Sequence, residues 1–126
     1  MSFKVRLLLG ATVPFVFALP AFGQVTISTA TTAPIQTATA NAGAPADVTI
    51  ASTGSITATT AASTTVVTVN SSNTLTNAGQ IAVANSDNST GVLIQPGFNT
   101  SYSATGSINL LEDYTRTDTD NDNDLD

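Results

Sequence analysis

The chain of 126 residues contains no cysteine, no histidine and no tryptophan. It therefore has no disulfide, no thiolate metal ligand and no histidine general base. Charged residues make up only 10% of the chain, against about 25% in an average soluble domain. The formal net charge is −6, from three basic and nine acidic residues. Because phosphate contacts need Lys and Arg, this balance predicts no nucleic-acid partner.

The charges are concentrated at the two ends of the chain. Lys4 and Arg6 lie near the N-terminus, and from residue 7 to residue 111 the only charged side chains are Asp47 and Asp87. Composition then divides a chain with room for one small domain into four segments. These are residues 1–23, 24–46, 47–111 and 112–126.

Residues 1–23 have the pattern of a secretory signal peptide. A basic start is followed by the apolar run 7–19, and Ala21 and Gly23 place small residues at positions −3 and −1 for cleavage before Gln24. The alternative is a transmembrane anchor, but the run 7–19 is shorter than the ~20 residues that a spanning helix needs. The pattern predicts an exported protein.

Residues 24–46 are rich in Ala and Thr and contain few large apolar residues. Such a segment buries too little apolar surface to offset its ordering entropy. Pro34 and Pro45 further disfavour strand pairing. We expect a low-complexity segment here, with a first strand or a cap at residues 25–27.

Residues 47–111 carry short β-branched runs in which apolar and polar residues alternate. Strands are predicted where such runs are separated by Gly, Asn and Ser clusters. The most complete example is 76–94, which has two apolar runs, each beginning just after a Gly. The predicted strands are centred on residues 48–50, 67–69, 81–83 and 92–94.

A Gly-x-Ile motif recurs in this segment at Gly54, Gly79 and Gly106, so that one copy follows another after 25 and then 27 positions. A period of this length in an all-β setting predicts stacked coils, because one coil cannot bury its inward face alone. Each Gly is expected to adopt a corner conformation that a Cβ would strain. Asparagines are expected at turns, with left-handed backbone or with amides stacked between coils; they are Asn70, Asn73, Asn77 and Asn85.

The fold class predicted is all-β, a parallel β-helix or β-solenoid of about three coils preceded by a signal peptide. A β-sandwich is the first alternative, but it needs longer strands and more aromatic residues. After the signal peptide the only aromatic residues are Phe98, Tyr102 and Tyr114. Disorder is the second alternative, because the apolar residues are small and sparse.

Residues 112–126 form an acidic tail with Asp at every second position from 118 to 126. Alternating oxygen ligands are typical of calcium loops, so the candidate ligands are Asp118, Asp120, Asp122 and Asp124. The match covers only the front of such a loop, since Asn123 stands where a turn glycine is needed and the closing Glu falls beyond residue 126. The alternative is a solvated acidic linker. Calcium is the only cofactor that the sequence suggests.

Catalytic patterns are missing from the sequence. No Ser lies in a Gly-x-Ser-x-Gly motif and no phosphate-binding loop is present. Asp47 and Asp87 are isolated, and a glycosidase-type carboxylate pair is disfavoured. We expect no enzyme activity from this chain.

The stretches Asn77-Ala78-Gly79-Gln80-Ile81 and Asn88-Ser89-Thr90-Gly91-Val92-Leu93-Ile94, together with the signal peptide, resemble passenger domains of bacterial autotransporters (type V secretion). The resemblance implies a right-handed parallel β-helix, low cysteine content and export to the surface of a Gram-negative bacterium through a C-terminal outer-membrane β-barrel. This chain contains no set of barrel strands. The resemblance therefore implies the N-terminal piece of a longer protein.

Three functions follow as hypotheses. The first is a non-catalytic stalk or adhesin at the cell surface or outer membrane, or in the extracellular space, with the export machinery as partner and an unspecified host or cell-surface ligand. The second is a calcium-binding extracellular module that uses the acidic tail. The third is the N-terminal part of a secreted β-helix enzyme whose active site lies beyond residue 126.

Overall fold

The computed structural model describes residues 23–59 and 63–111, and within them the chain forms strands and loops without a helix. The strands are short because Gly, Asn and Ser recur every few residues and end each extended run. The eleven strands are β1 (Gly23–Ile27), β2 (Ala30–Thr31), β3 (Ile35–Gln36), β4 (Ala46–Ile50), β5 (Ser55–Ala58), β6 (Thr65–Val69), β7 (Leu75–Asn77), β8 (Gln80–Ala84), β9 (Thr90–Ile94), β10 (Tyr102–Ala104) and β11 (Ser107–Leu111).

The strands form three parallel sheets. Sheet 1 has the order β1-β4-β7-β10, sheet 2 the order β2-β5-β8-β11 and sheet 3 the order β3-β6-β9. Each coil contributes one strand to each sheet, so β1–β3, β4–β6 and β7–β9 are coils 1, 2 and 3. Strands β10 and β11 begin a fourth coil. The predicted all-β, parallel β-solenoid of about three coils is confirmed.

The register of sheet 2 follows the glycine spacing. Ser55, which follows Gly54, pairs with Gln80, which follows Gly79, and Gln80 pairs in turn with Ser107, which follows Gly106. In sheet 3 the step from coil 1 to coil 2 is longer, since Ile35 pairs with Val67, whereas the step from coil 2 to coil 3 pairs Val67 with Val92. The strands therefore keep their stacking while the loops between them absorb the differences in length.

The core lies between the three sheets and is best formed in coils 2 and 3. In β4, Val48 and Ile50 are buried while Asp47 and Thr49 are half-buried, as expected for period-2 alternation. The apolar side chains that coils 1 and 4 add to this core, such as Ile27 and Tyr102, are only partly buried. The buried cluster consists of Val48, Ile50, Ile56, Ala58, Val66, Val67, Val69, Leu75, Ile81 and Val83.

The three motif glycines form a column at the corner between sheets 1 and 2. None of them has positive φ; among the described glycines only Gly43 and Gly97 do. A Cβ on Gly79 would overlap the carbonyl oxygens of Gly54 and Ala51, both of the preceding coil. The predicted corner conformation is therefore wrong. Glycine is needed here because consecutive coils approach too closely for a side chain.

The asparagines divide between two roles. Asn85 has left-handed backbone with φ 56°, and Asn70 donates from its amide to Gln36 Oε1 of coil 1 at 3.0 Å. The sequence predicts a turn at Asn77, but this residue lies in β7 and is fully buried. Its Oδ1 accepts from the Gly79 N–H at 3.1 Å, and its Nδ2 donates to the Ser107 carbonyl at 3.3 Å. This side chain therefore links coils 3 and 4.

Residues 23–45 form the first coil, so the stacked coils begin before residue 47, where the sequence predicts that the repeats start. Strand β1 pairs with β4 along its full length, with Val25 opposite Val48 and Ile27 opposite Ile50. The few apolar side chains of coil 1 are half-buried against coil 2. Stacking on a neighbour, rather than local composition, offsets the ordering entropy of this segment.

Candidate functional site

A polar cluster occupies the corner between sheets 3 and 1, where residues 70–74 connect β6 to β7. Three of its side chains are almost fully buried: Thr37 at 0%, Asn73 at 2% and Ser71 at 8% exposure. Buried polar groups cost free energy unless they are hydrogen-bonded. This cluster, with Asn70 and Asp47, is called the polar corner below.

Thr37 lies at the centre of the polar corner and joins coils 1 and 2. Its hydroxyl accepts from the backbone N–H of Asn70 at 3.0 Å and lies 2.8 Å from the hydroxyl of Ser71. The Ser71 hydroxyl also lies 3.0 Å from Asn73 Oδ1, to which it can donate. These side-chain hydrogen bonds thus connect coils 1 and 2 beyond the end of the ladder between β3 and β6.

Asp47 closes the polar corner from β4. Its Oδ1 accepts from the backbone N–H of Thr74 at 2.8 Å and from Asn73 Nδ2 at 3.2 Å. The hydrogen bond from the Thr74 N–H is the main reason why the pKa of Asp47 lies below its ordinary value of 3.8. Partial burial raises the pKa and so opposes this effect, and the hydrogen bond from the Asn73 amide lowers it further. The carboxylate is therefore held ionised as a hydrogen-bond acceptor, which is a structural use rather than general-acid chemistry.

The Asp47→Asn substitution tests this role. Because the pKa of Asp47 is lowered in the folded state, its contribution to stability is complete above pH 3.8 and is lost as the pH falls through the lower folded pKa. We expect Asp47→Asn to lower the free energy of unfolding at pH 7 by about 1 kcal/mol, since charge-assisted hydrogen bonds are the stronger kind. Urea unfolding across the acid range should show the gap between variant and wild type closing below pH 3.8.

Asp87→Asn is the matched control, because Asp87 is exposed in the loop between β8 and β9. This variant should keep the wild-type free energy of unfolding at pH 7. A gap between Asp47→Asn and wild type that stays constant down to the lowest pH would contradict the proposed role of the carboxylate.

The structure does not bring the isolated carboxylates together. Asp47 lies in sheet 1 and Asp87 in the loop that leads from sheet 2 to sheet 3. Within residues 23–59 and 63–111 there is no group of three or more His, Cys, Asp or Glu side chains that could hold a metal ion. The candidate calcium ligands Asp118, Asp120, Asp122 and Asp124 lie outside the described residues, so the calcium site stays a prediction.

Outward-facing hydroxyl groups form a row along sheet 1. Thr26 pairs with Thr49, Thr49 with Thr76, and Thr76 with Ser103, so one hydroxyl side chain stands on each coil. Neighbouring strands lie about 4.8 Å apart, which sets the spacing along the row. Gln24 Nε2 donates to Thr49 Oγ1 at 3.4 Å beside it. The row is a regular, uncharged surface of hydrogen-bonding groups.

A shallow groove of about 620 Å³ runs along the glycine column on the adjacent corner. Gly54, Gly79 and Gly106 line it together with polar neighbours such as Thr53 and Gln80. None of these residue types supplies a strong nucleophile, a general base or a cation. The groove can offer hydrogen bonds and backbone contacts.

The polar corner was missed by the sequence reasoning. A signal was present, because an Asp isolated in an almost uncharged segment lies one coil length before an Asn-Ser-Ser-Asn run. Residues 47 and 73 are 26 positions apart, close to the glycine period, so the repeat itself places the two side chains on neighbouring coils.

Comparison of the chain with protein-family models, with curated proteins and with solved structures finds no match. The resemblance to autotransporter passengers therefore depends on the residues of this chain alone. The described residues also contain no helix long and apolar enough to cross a membrane.

Proposed function

We propose that this chain is an exported, non-catalytic β-solenoid segment of the passenger type, which serves as a structural stalk or adhesin at the surface of a Gram-negative bacterium. The observation that carries the proposal is the regular outward row of hydroxyl side chains on a stacked scaffold. The scaffold follows a segment with the pattern of a signal peptide. The proposal includes a longer protein whose later residues supply the outer-membrane barrel.

The position of the first strand supports the proposed export. Strand β1 begins at Gly23, and the predicted cleavage precedes Gln24. Cleavage there would leave residues 24–27 in register with residues 47–50 of β4. The proposed mature chain therefore begins at the start of the solenoid.

The surface chemistry supports a binding or spacing role. Asp47 and Asp87 are the only charged side chains in residues 23–59 and 63–111, and Asp47 is engaged in the polar corner. The remaining outward polar groups are hydroxyls and amides, which bind neutral hydrogen-bonding partners. Repetition of a weak contact on each coil raises overall avidity without a deep pocket.

Export and processing give the direct test. The chain, with a C-terminal epitope tag and expressed in a Gram-negative host, should leave the cytoplasm and carry Gln24 as its N-terminal residue. The physical reason is the apolar run 7–19 behind a basic start, followed by small residues at −3 and −1. Cell fractionation and mass spectrometry of the N-terminal peptide provide the measurement.

Two variants separate export from cleavage. Leu9→Arg places a charge in the apolar run and should leave the chain in the cytoplasm. Ala21→Leu replaces the small residue at −3 and should permit export but abolish cleavage before Gln24. Wild-type chain found only in the cytoplasm, with the segment 1–23 still attached, would refute the proposal.

A further inference from the structure

Gln24 is the first residue of the mature chain under the proposed function, on which this inference rests. It lies in β1, is exposed, and stands in register with Asp47 of β4. Cleavage before Gln24 gives this residue a free α-amino group next to its own side-chain amide. The other glutamines of the chain, at positions 36, 80 and 95, keep a peptide bond on both sides.

The backbone nitrogen of Gln24 is not part of the ladder between β1 and β4. In a parallel ladder, alternate residues of a strand direct both their N–H and their C=O towards the same neighbouring strand. The Ile27 carbonyl accepts from the Ala51 N–H at 2.9 Å, so Ile27 and Val25 face β4. The N–H of Gln24 therefore points away from β4, to the side on which β1 has no hydrogen-bonded neighbour among the described residues.

The side-chain amide of Gln24 is weakly held. Its Nε2 donates to Thr49 Oγ1 at 3.4 Å in an exposed position, whereas an ordinary hydrogen bond from N–H to oxygen measures about 2.7–3.2 Å. Asp47 directs its carboxylate the other way, since its Oδ1 accepts from Thr74 and Asn73 on the β7 side of β4. Rotation of the Gln24 side chain towards its own α-nitrogen therefore breaks only a long, exposed hydrogen bond.

We propose that Gln24 of the mature chain cyclises to pyroglutamate. The lone pair of the neutral α-amino group attacks the side-chain Cδ, so that an N–Cδ bond forms and the Cδ–Nε2 bond breaks. The α-amino group gives up one proton, which leaves with Nε2 as ammonia, and the step needs no oxidant or further reactant. An α-amino group has a pKa of about 7.7–8.0, so part of it is neutral at pH 7. Both reacting groups belong to one residue, which makes the closure of the five-membered ring intramolecular.

The cyclised residue is compatible with the fold. Pyroglutamate keeps the Cα and the carbonyl group of Gln24, and Val25 stays in the ladder opposite Val48. Cyclisation removes the α-ammonium group, which is the only positive charge of the mature chain before Arg116. It also removes the free amine that aminopeptidases require, so β1 is protected from stepwise degradation outside the cell.

The N-terminus of the exported chain gives the first test. Its intact mass should be lower by one ammonia than the mass of the sequence that starts at Gln24. Edman degradation should be blocked, and should read from Val25 after treatment with pyroglutamyl aminopeptidase. Gln24→Asn is the matched control, because it keeps an amide at this position but its shorter side chain cannot close a five-membered ring. This variant should have its full mass and an N-terminus open to Edman degradation.

The second test measures whether the fold leaves the two groups free to react. The chain is made with a removable N-terminal tag whose cleavage leaves Gln24 first, circular dichroism confirms that it is folded, and it is incubated at neutral pH beside a peptide of residues 24–28. We expect the folded chain to cyclise at a rate close to that of the peptide. A rate lower by roughly tenfold or more, equivalent to about 1.4 kcal/mol in the barrier, would show that the fold holds the amine or the amide, and would overturn the inference.

The outcomes also separate this inference from the proposed function. An exported chain that starts at Gln24 and keeps its free α-amino group overturns the cyclisation and leaves the proposed function standing. A chain that retains residues 1–23 overturns both, and its larger mass identifies that case.

Discussion

Gly79→Ala is expected to destabilise the protein by about 3 kcal/mol, the upper part of the usual range for overpacking, although it adds a single methyl group. The new Cβ would overlap the carbonyl oxygens of Gly54 and Ala51 and lie 2.9 Å from Ile50 Cγ2. Two of these three atoms belong to the backbone of the preceding coil and cannot rotate away. Relief requires coils 2 and 3 to separate, which breaks the ladder between β5 and β8.

Thermal unfolding measures this effect, and a loss of this size lowers the melting temperature by roughly 12 °C or more in a domain of this length. Gly97→Ala is the matched control. Gly97 has φ +89° and no atom within 4 Å of an added Cβ, so this variant meets only the backbone strain of about 1–2 kcal/mol. Equal losses of stability for the two variants would show that glycine is required in this column because of its backbone conformation and not because the coils approach closely.

Ile81→Ala should cost about 2–5 kcal/mol, the range for truncating a fully buried Ile. Ile81 has no exposed surface and lies between Ile56 and Ile108 in the middle of its column. Neighbouring coils are fixed by their ladders, so the cavity has little freedom to collapse. Chemical denaturation should show a lower midpoint for the variant.

Ile108→Ala makes the same chemical change in the same column, one coil further on. Because Ile108, in β11, is 43% exposed, part of its surface is already in water and the loss should stay below about 1.5 kcal/mol. The difference between the two variants measures how much of the stability comes from having a coil on both sides. A larger loss for Ile108→Ala than for Ile81→Ala would contradict the assigned stacking order.

The strands that sequence reasoning located are those in which β-branched residues alternate with polar ones. The run at 48–50 became part of β4 and the run at 81–83 part of β8. The Gly-x-Ile motif also indicated the register, because Ile56, Ile81 and Ile108 do stack. These features are predictable because every coil must bury the same inward positions and keep the same glycine corner. The same residue types therefore recur in the sequence at the coil period.

The strands and contacts that the sequence does not predict are held in place by neighbouring coils. Strands β2 and β3 have two residues each, too few to form a pattern, and they are held by β5 and β6. Strand β10 contains one large apolar residue, Tyr102, which continues the column of Leu75. The polar corner joins Thr37 to Ser71, which lie 34 positions apart in the chain. No local window contains such a contact.

The register of the ladders has a consequence for how this chain can reach its folded state. Every strand pairs with the strand that occupies the same place in the neighbouring coil, for example Gly23 with Ala46 and Ile35 with Val67. Within residues 23–59 and 63–111, no strand pair joins the first coil to the last. Folding can therefore start at neighbouring coils and advance one coil at a time. The loop-closure entropy of each step depends on the number of residues in one coil and not on the length of the chain. A polypeptide that emerges end-first from a narrow passage can bury each coil as soon as the next one arrives.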